Sequence, residues 1–232
     1  GPLFFNAYAN SRGKLEGNLL SAHQFNNKWS TMMLGSAVVM KNKIDENSDG
    51  FLDHPMTEYI NLFNRWKYDA GDFKAQLGIN ALFENRDGGQ LAYYNSEHPA
   101  YGVGIDTRRY RVYGKSGFIV SEKNESNIGI MIDATLHQQE SFFGNNTYLG
   151  REFSYYSNVV YQGDLSGHKH KYKTGISYKY IDMNEDYNDT TLNLFESVPG
   201  VFAQYSYVSG LSNFIIGGRA DFHNKYGMLL TP

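Results

Sequence analysis

Apolar and polar residues alternate along this chain with a period of two, the repeat of an extended strand that has one apolar face. Ile128, Ile130, Ile132, Ala134 and Leu136 form one side of such a segment, and Gly129, Met131, Asp133, Thr135 and His137 form a mostly small or polar other side. The division recurs where Phe73, Ala75, Leu77, Ile79, Ala81 and Phe83 stand against Lys74, Gln76, Gly78, Asn80 and Glu84, with Leu82 as the exception. It recurs again where Phe214, Ile216, Gly218, Ala220 and Phe222 oppose Gly217, Arg219, Asp221 and His223, Ile215 being the exception. Helical spacing fits none of them. The pattern predicts about eleven strands, many of roughly ten residues or more, against the five or six usual in soluble sheets.

The connections alternate in size. Short turns are expected at Asn26-Asn27-Lys28, Asp69-Ala70-Gly71-Asp72, Lys123-Asn124-Glu125-Ser126, Asp164-Leu165-Ser166-Gly167 and Ser209-Gly210-Leu211-Ser212. Long polar connections are expected from Asn42 to Glu58, Asp87 to Thr107, Gln139 to Tyr148 and Asn184 to Pro199. In an antiparallel meander every second connection falls on the same rim, so one rim is tidy and the other elaborate, as in outer-membrane barrels. The predicted fold is therefore all-β, an antiparallel up-and-down transmembrane β-barrel, present as about eleven strands of a larger barrel. A soluble barrel or sandwich alternates too, but buries its apolar face.

Composition narrows the classes. The 232 residues include no Cys, which removes disulfide scaffolds and Cys-ligated metal sites, and the formal charge of −3 argues against a nucleic-acid partner. A mean hydropathy of −0.51 fits alternating lipid-facing strands. Arg109, Arg111, Tyr113 and Lys115 share one expected face, as do Lys171, Lys173, Ser177 and Lys179. In a wide barrel these cations line water, because a charge on the lipid side costs about 2–4 kcal/mol near the midplane. The Tyr-rich runs at Tyr155-Tyr156 and Tyr178 to Tyr180 suit an interfacial girdle. The chain opens at Gly1-Pro2 and stops within an apolar run after Tyr226, which reads as an internal piece of a longer protein.

Candidate chemistry is sparse. Asp45, Asn47, Asp49, the Phe51 carbonyl and Asp53 follow D-x-N-x-D-G-x-x-D, a spacing that offers oxygens to a structural calcium ion around the turn at Gly50. The fit to an EF-hand is incomplete, since Met56 occupies the place of the bidentate Glu. Without calcium the same residues make an Asx-rich loop. His168 and His170 flank Lys169 at an expected turn, a solvated position. No catalytic residues are assigned: G-x-S-x-G, H-E-x-x-H and a phosphate loop are all absent. In the Asp87 to Thr107 connection, Tyr93, Tyr94, His98 and Tyr101 are the candidate ligand contacts, because aromatics in a long surface loop commonly serve binding.

Several segments together resemble the TonB-dependent outer-membrane receptors of Gram-negative bacteria. They are Asp45 to Asp53 with Pro55, Asn64-Arg65-Trp66, Phe83 with Asp87-Gly88-Gly89-Gln90, Arg108-Arg109-Tyr110, and Gly218 to Gly227 with Thr231-Pro232. The resemblance implies a 22-stranded barrel blocked by an N-terminal plug, with the plug and the C-terminal strands outside this chain. It implies energised uptake of a scarce solute, such as a ferric siderophore, cobalamin or a glycan. The implied partners are outer-membrane lipid, the extracellular solute, TonB through a segment before the plug, and a surface lipoprotein. The alternatives from other classes are a passive porin and an outer-membrane β-barrel hydrolase.

Overall fold

The computed structural model describes residues 3–95, 99–165, 169–210 and 212–232, together with the backbone of Ser166. Its strands are β1 (Phe4–Ala9), β2 (Leu15–Gln24), β3 (Trp29–Met40), β4 (Met56–Asp69), β5 (Phe73–Gly89), β6 (Gly102–Ser121), β7 (Ser126–Phe143), β8 (Asn146–Ser166), β9 (His170–Tyr187), β10 (Thr190–Ser209), β11 (Ser212–His223) and β12 (Gly227–Thr231), with one helical turn, α1 (Leu91–Tyr94), between β5 and β6. Twelve strands thus stand where about eleven were expected. They form one antiparallel sheet in sequence order, each bonded to its neighbours in the chain. No helix among the described residues is long and apolar enough to cross a membrane, which bears on helices alone.

This sheet has no core. Among the described residues Met40 is the one buried hydrophobe, and rows of Ile, Leu and Phe lie open, Ile176 at 59% and Leu136 at 51% exposure. Soluble monomers rarely leave such rows of large apolar side chains open to water. Among the described residues there is one sheet, with no second sheet packed on it.

Cross-strand register shows how the apolar face is built. Trp66, Leu77, Gly114, Ile132, Ser157 and Tyr178 form one ladder row, and Ala75, Ser116, Ile130, Val159, Ile176 and Val201 form the row below it. Aromatic rings fringe these rows on both sides. On the lower side Trp29 meets Tyr68 at 4.7 Å between centroids, Phe73 stacks on Phe118 at 4.6 Å, and Tyr161 approaches Tyr172 at 5.5 Å. On the upper side Phe83 meets Tyr110 at 5.6 Å, Phe153 meets Tyr180 at 5.9 Å, and Tyr180 meets Phe195 at 5.5 Å.

The spacing of the two fringes is regular. Tyr110 and Phe118, Phe153 and Tyr161, and Tyr172 and Tyr180 are pairs eight residues apart on β6, β8 and β9. Eight residues span about 27 Å along a strand. A tilt of about 40° projects that to roughly 21 Å, close to the ~25 Å apolar band of membrane barrels between its aromatic girdles.

Two expected loops are strands. The segments from Gln139 to Tyr148 and from Asn184 to Pro199 continue as paired β7–β8 and β9–β10 up to two-residue turns at Gly144-Asn145 and Asn188-Asp189. The physical reason lies in the surroundings: above the girdle both faces meet water, so the hydropathy alternation fades while the ladder hydrogen bonds go on. Such tight turns need left-handed backbone, which Gly144 (φ 63°) and Asn188 (φ 50°) provide. The Thr147 N–H donates to Asn188 Oδ1 at 2.8 Å and fixes the two turns side by side. The elaborate rim therefore gains height from strand, β8 alone running 21 residues, about twice what a tilted strand needs to cross a bilayer.

Candidate functional site

The upper rim gathers the turn 10–14, the connections 41–55 and 90–101, and the turns at Gly144, Asn188 and Asn224. Within 41–55, carboxylates shape the chain. Asp45 accepts from the Asp49 and Gly50 N–H groups at 3.2 and 2.9 Å, Asp49 accepts from Phe51 N at 2.8 Å, and Asp53 accepts from Glu46 N at 2.7 Å. Asn47 Oδ1 accepts from Asp49 N at 3.1 Å, and Gly50 takes the left-handed φ of 83° that the turn requires. Calcium asks for six to eight inward oxygens. Here the acid oxygens point at the loop's own N–H groups, and no set of three His, Cys, Asp or Glu side chains among the described residues is arranged to hold a metal. Calcium at Asp45, Asn47, Asp49, Phe51 and Asp53 rests on sequence spacing alone.

This loop is tied to its neighbours. Arg12 joins it through Glu46 at 2.9 Å and His54 at 2.7 Å, and Leu91 N donates to Gly50 O at 2.8 Å. The expected contact residues sit beside it. The Tyr94 hydroxyl donates to Gly88 O at 2.8 Å, and Lys43 Nζ lies 5.2 Å from the Tyr94 ring centroid. Burial, reinforced by the Asp87 carboxylate, pushes the Tyr94 phenol up to about 12. Tyr93 packs over Gly102 and lies 5.9 Å from Phe142. Gly102 and Phe142 belong to the same side of the sheet as the apolar belt. α1 therefore folds over the belt side of the strand extensions, and Tyr93 and Tyr94 turn away from the polar side. Tyr101 is 45% exposed at the β7–β8 turn, beside Gly144. His98 and His168 lie outside the described residues.

The polar face carries the densest chemistry. Arg111 donates through Nε and Nη2 to Asp133 Oδ2 at 2.8 and 2.6 Å, and its guanidinium carbon lies 5.8 Å from the Tyr113 centroid. Tyr113 stacks on Phe63 at 6.3 Å and lies across Gly78, where an added Cβ would come within 2.2 Å of the ring. Arg219 forks onto Asp221 at 2.7 and 2.6 Å and also reaches Ser177 Oγ at 2.7 Å. Lys179 pairs with Glu196 at 3.0 Å. Lower down, Lys67, Lys74, Gln76 and Lys115 line a groove of about 400 Å³, where Asp69 holds Lys67 and Lys74 at 3.5 and 3.3 Å.

From the girdle upward the same face presents further groups, of which the alternation in the sequence places only Glu84, Arg109 and His137 on a polar strand face. Tyr148 lies across Gly150 and donates to Glu185 at 2.7 Å, Arg109 Nε reaches His137 Nδ1 at 3.3 Å, and Arg86 pairs with Glu84 at 2.5 Å. Of these, Tyr148 and Glu185 lie within the stretches expected as loops, Gln139 to Tyr148 and Asn184 to Pro199, where the strand pairing continues. The His rings that hydrogen-bond on this sheet meet Arg12, Arg109 and Tyr205.

No protein-family model matches the sequence, and no curated protein matches it. Solved structures do share its fold. The chain is similar to a chain of the FpvAI–pyocin S2 complex, with a TM-score of 0.65 at 10% identity over 95% of this chain and 35% of that one. It is similar also to the ferric citrate transporter FecA in its unliganded form, with a TM-score of 0.56 at 12% identity over 97% of this chain and 39% of that one. The chain thus spans little more than a third of those barrel proteins. Both neighbours are TonB-dependent receptors, and the twelve-stranded sheet has the fold of part of a TonB-dependent receptor barrel wall.

Proposed function

We propose that this chain forms part of the wall of a TonB-dependent receptor in the outer membrane of a Gram-negative bacterium, and that the whole protein takes up a scarce solute with energy delivered through TonB. The carrying observation is the pair of faces on one coreless sheet: an apolar belt between aromatic girdles, backed by a wall of paired ions. The fold shared with FpvAI and FecA supports the same reading. In this account belt residues such as Leu77, Ile132 and Ile176 meet hydrocarbon, and Arg111, Asp133, Lys179 and Glu196 meet a hydrated interior or a plug.

The extracellular vestibule is then the polar side of the upper extensions, with Arg86, Arg109, His137, Tyr148, Glu152 and Glu185 as solute contacts. Tyr101 is the exposed ring on the rim itself. A ferric chelate, cobalamin or a glycan each presents polar oxygens, and some also amides, to such a wall. The barrel contributes positioning and a polar lining, with no bond made or broken.

The test uses the full-length protein in cells lacking other receptors. Accumulation of radiolabelled ferric chelate, cobalamin or oligosaccharide should be seen for one class and should vanish when TonB is deleted. Steady conductance in planar bilayers with uptake indifferent to TonB would replace this reading with a porin, and ester hydrolysis by the purified protein would replace it with an enzyme.

A further inference from the structure

The upper end of β10 has a neighbour on one side only. β7, β8 and β9 are paired on both sides up to the rim, whereas β11 leaves β10 above Gly200, where Pro199 offers no N–H to a ladder. Asn224 closes the gap just above. Its side chain accepts from Ser197 N at 3.0 Å and donates to Phe195 O at 3.1 Å, and its own N–H donates to Ser197 O at 3.1 Å. These bonds fix the way the edge faces. In an antiparallel strand the N–H and C=O of one residue point to the same side, so Thr191, Asn193 and Phe195 turn theirs away from β9. The three N–H groups and the Thr191 and Asn193 carbonyls are left with no partner among the described residues.

Sheet edges are ordinarily guarded by charge, proline or a bulge. Thr190 to Phe195 carries neither charge nor proline, and all of it but Leu194 is exposed. The open stretch starts at the upper girdle, where Phe195 meets Tyr180 at 5.5 Å, and rises about 14 Å beyond it. Parity sorts its flanks: Leu192, at 59% exposure, and Leu194 lie on the polar side of the sheet, and Thr191 and Asn193 on the other. Charge on the projecting hairpin has one sign. Asp182, Glu185, Asp186, Asp189 and Glu196 fall between Tyr180 and Ser197, a stretch without Lys or Arg. Lys179 holds Glu196, while Asp182 and Asp189 form no ion pair with a described residue. Backbone groups at strand spacing match another polypeptide backbone, the leucines match apolar side chains at every second position, and the carboxylates match cations.

We propose that the upper edge of β10 takes an extended, lysine- or arginine-bearing segment of a partner polypeptide at the cell surface, added as a further strand with its apolar side chains on Leu192 and Leu194. Main-chain hydrogen bonds hold the segment, and the acids of the hairpin select its charge. The dock is independent of any transported solute. It rests on the reading that the upper rim stands in water.

The test is hydrogen–deuterium exchange of the full-length protein in lipid nanodiscs, read at the amides of Thr191, Asn193 and Phe195, with and without a synthetic peptide of alternating valine and threonine flanked by lysines. In the free protein these amides should exchange fast. The peptide should slow them about tenfold or more, the same peptide N-methylated along its backbone should leave them fast, and a glutamate-flanked version should bind about tenfold more weakly. N193P removes an edge donor that takes no part in the β9 ladder and should weaken peptide binding about tenfold by fluorescence anisotropy, with the β-sheet circular dichroism unchanged. D182N/D189N, which leaves the backbone alone, should weaken binding less and reduce its dependence on salt. Slow exchange at 191–195 in the free protein, meaning that its own chain covers the edge, or equal binding of the plain and N-methylated peptides, would overturn the dock. A nitroxide at position 192, introduced as Leu192→Cys, separates the two readings. If a water-soluble nickel chelate reaches it and the peptide does not bind, the dock alone fails; if oxygen in the hydrocarbon reaches it instead, the placing of the upper rim in water fails too.

Discussion

The two sides of β7 share a backbone and differ only in parity. Even positions from Ile128 to Leu136 hold Ile, Ile, Ile, Ala and Leu without a charge, whereas odd positions from Gly129 to His137 include Asp133, paired to Arg111 at 2.6 Å, and His137 beside Arg109. In a soluble sheet one side would be dry and densely packed. Here neither side is packed, and what distinguishes them is the solvent each matches. The comparison teaches that a strand can report its surroundings on two faces at once, hydrocarbon on one and water on the other.

The sharpest way to break that contrast is to place the same charge on adjacent residues. Ile132→Arg should cost about 2–4 kcal/mol of folding free energy in a bilayer, and Met131→Arg, one residue away on the other side, should stay within about 0.5 kcal/mol. Urea titration of the full-length protein in lipid vesicles reads both. Equal costs would remove the distinction between the sides.

Packing on the polar side is the next test. Gly78→Val places carbon where the Tyr113 ring lies, within 2.2 Å for the Cβ alone, and should cost about 1–3 kcal/mol. Combining it with Tyr113→Ala should recover part of that loss in a double-mutant cycle; simple additivity would mean that the close approach is relieved elsewhere.

At the rim the effects are smaller. Tyr94→Phe removes the donor to Gly88 O and should cost about 0.5–1.5 kcal/mol locally, read as faster proteolysis within 90–101. The Tyr94 phenol is raised to about 12 in the fold against an ordinary value near 10. Its contribution is therefore full below pH 10 and is lost as pH climbs from 10 to 12. Protection of the loop that declined below pH 9 through Tyr94 would contradict this. Smallest of all is Arg111→Gln, since the pair with Asp133 is half-open to solvent, the arginine being 52% exposed. A loss under about 1 kcal/mol, shrinking with added salt, is expected from thermal or urea unfolding.

The belt was legible from residues alone because each outward Ile or Phe is surrounded by one solvent. Ile128 to Leu136 and Phe73 to Phe83 alternate as they should and stand on the face expected of them. The extensions were not legible as strands. Glu140, Ser141, Asn184 and Glu185 lie above the girdle, where water reaches both sides, and polarity there says nothing about pairing. Tyr93 and Tyr94 stood out as aromatic loop residues, yet the side they pack on is set by strand register, which brings Phe142 to Tyr93 from 49 residues away. The spacing of Asp45 to Asp53 was legible both as calcium ligands and as Asx-turns, and the particular N–H groups each oxygen accepts from came with coordinates.

Single nitroxides placed at each position from 128 to 137 of the full-length protein in lipid bilayers, in a segment that holds no native Cys, test the central claim most directly. Even positions should collide with oxygen in the hydrocarbon and odd positions with a water-soluble nickel chelate, in strict alternation from one girdle to the other. Accessibility that is low on both sides, or that favours water at Ile130 and Ile132, would contradict the account.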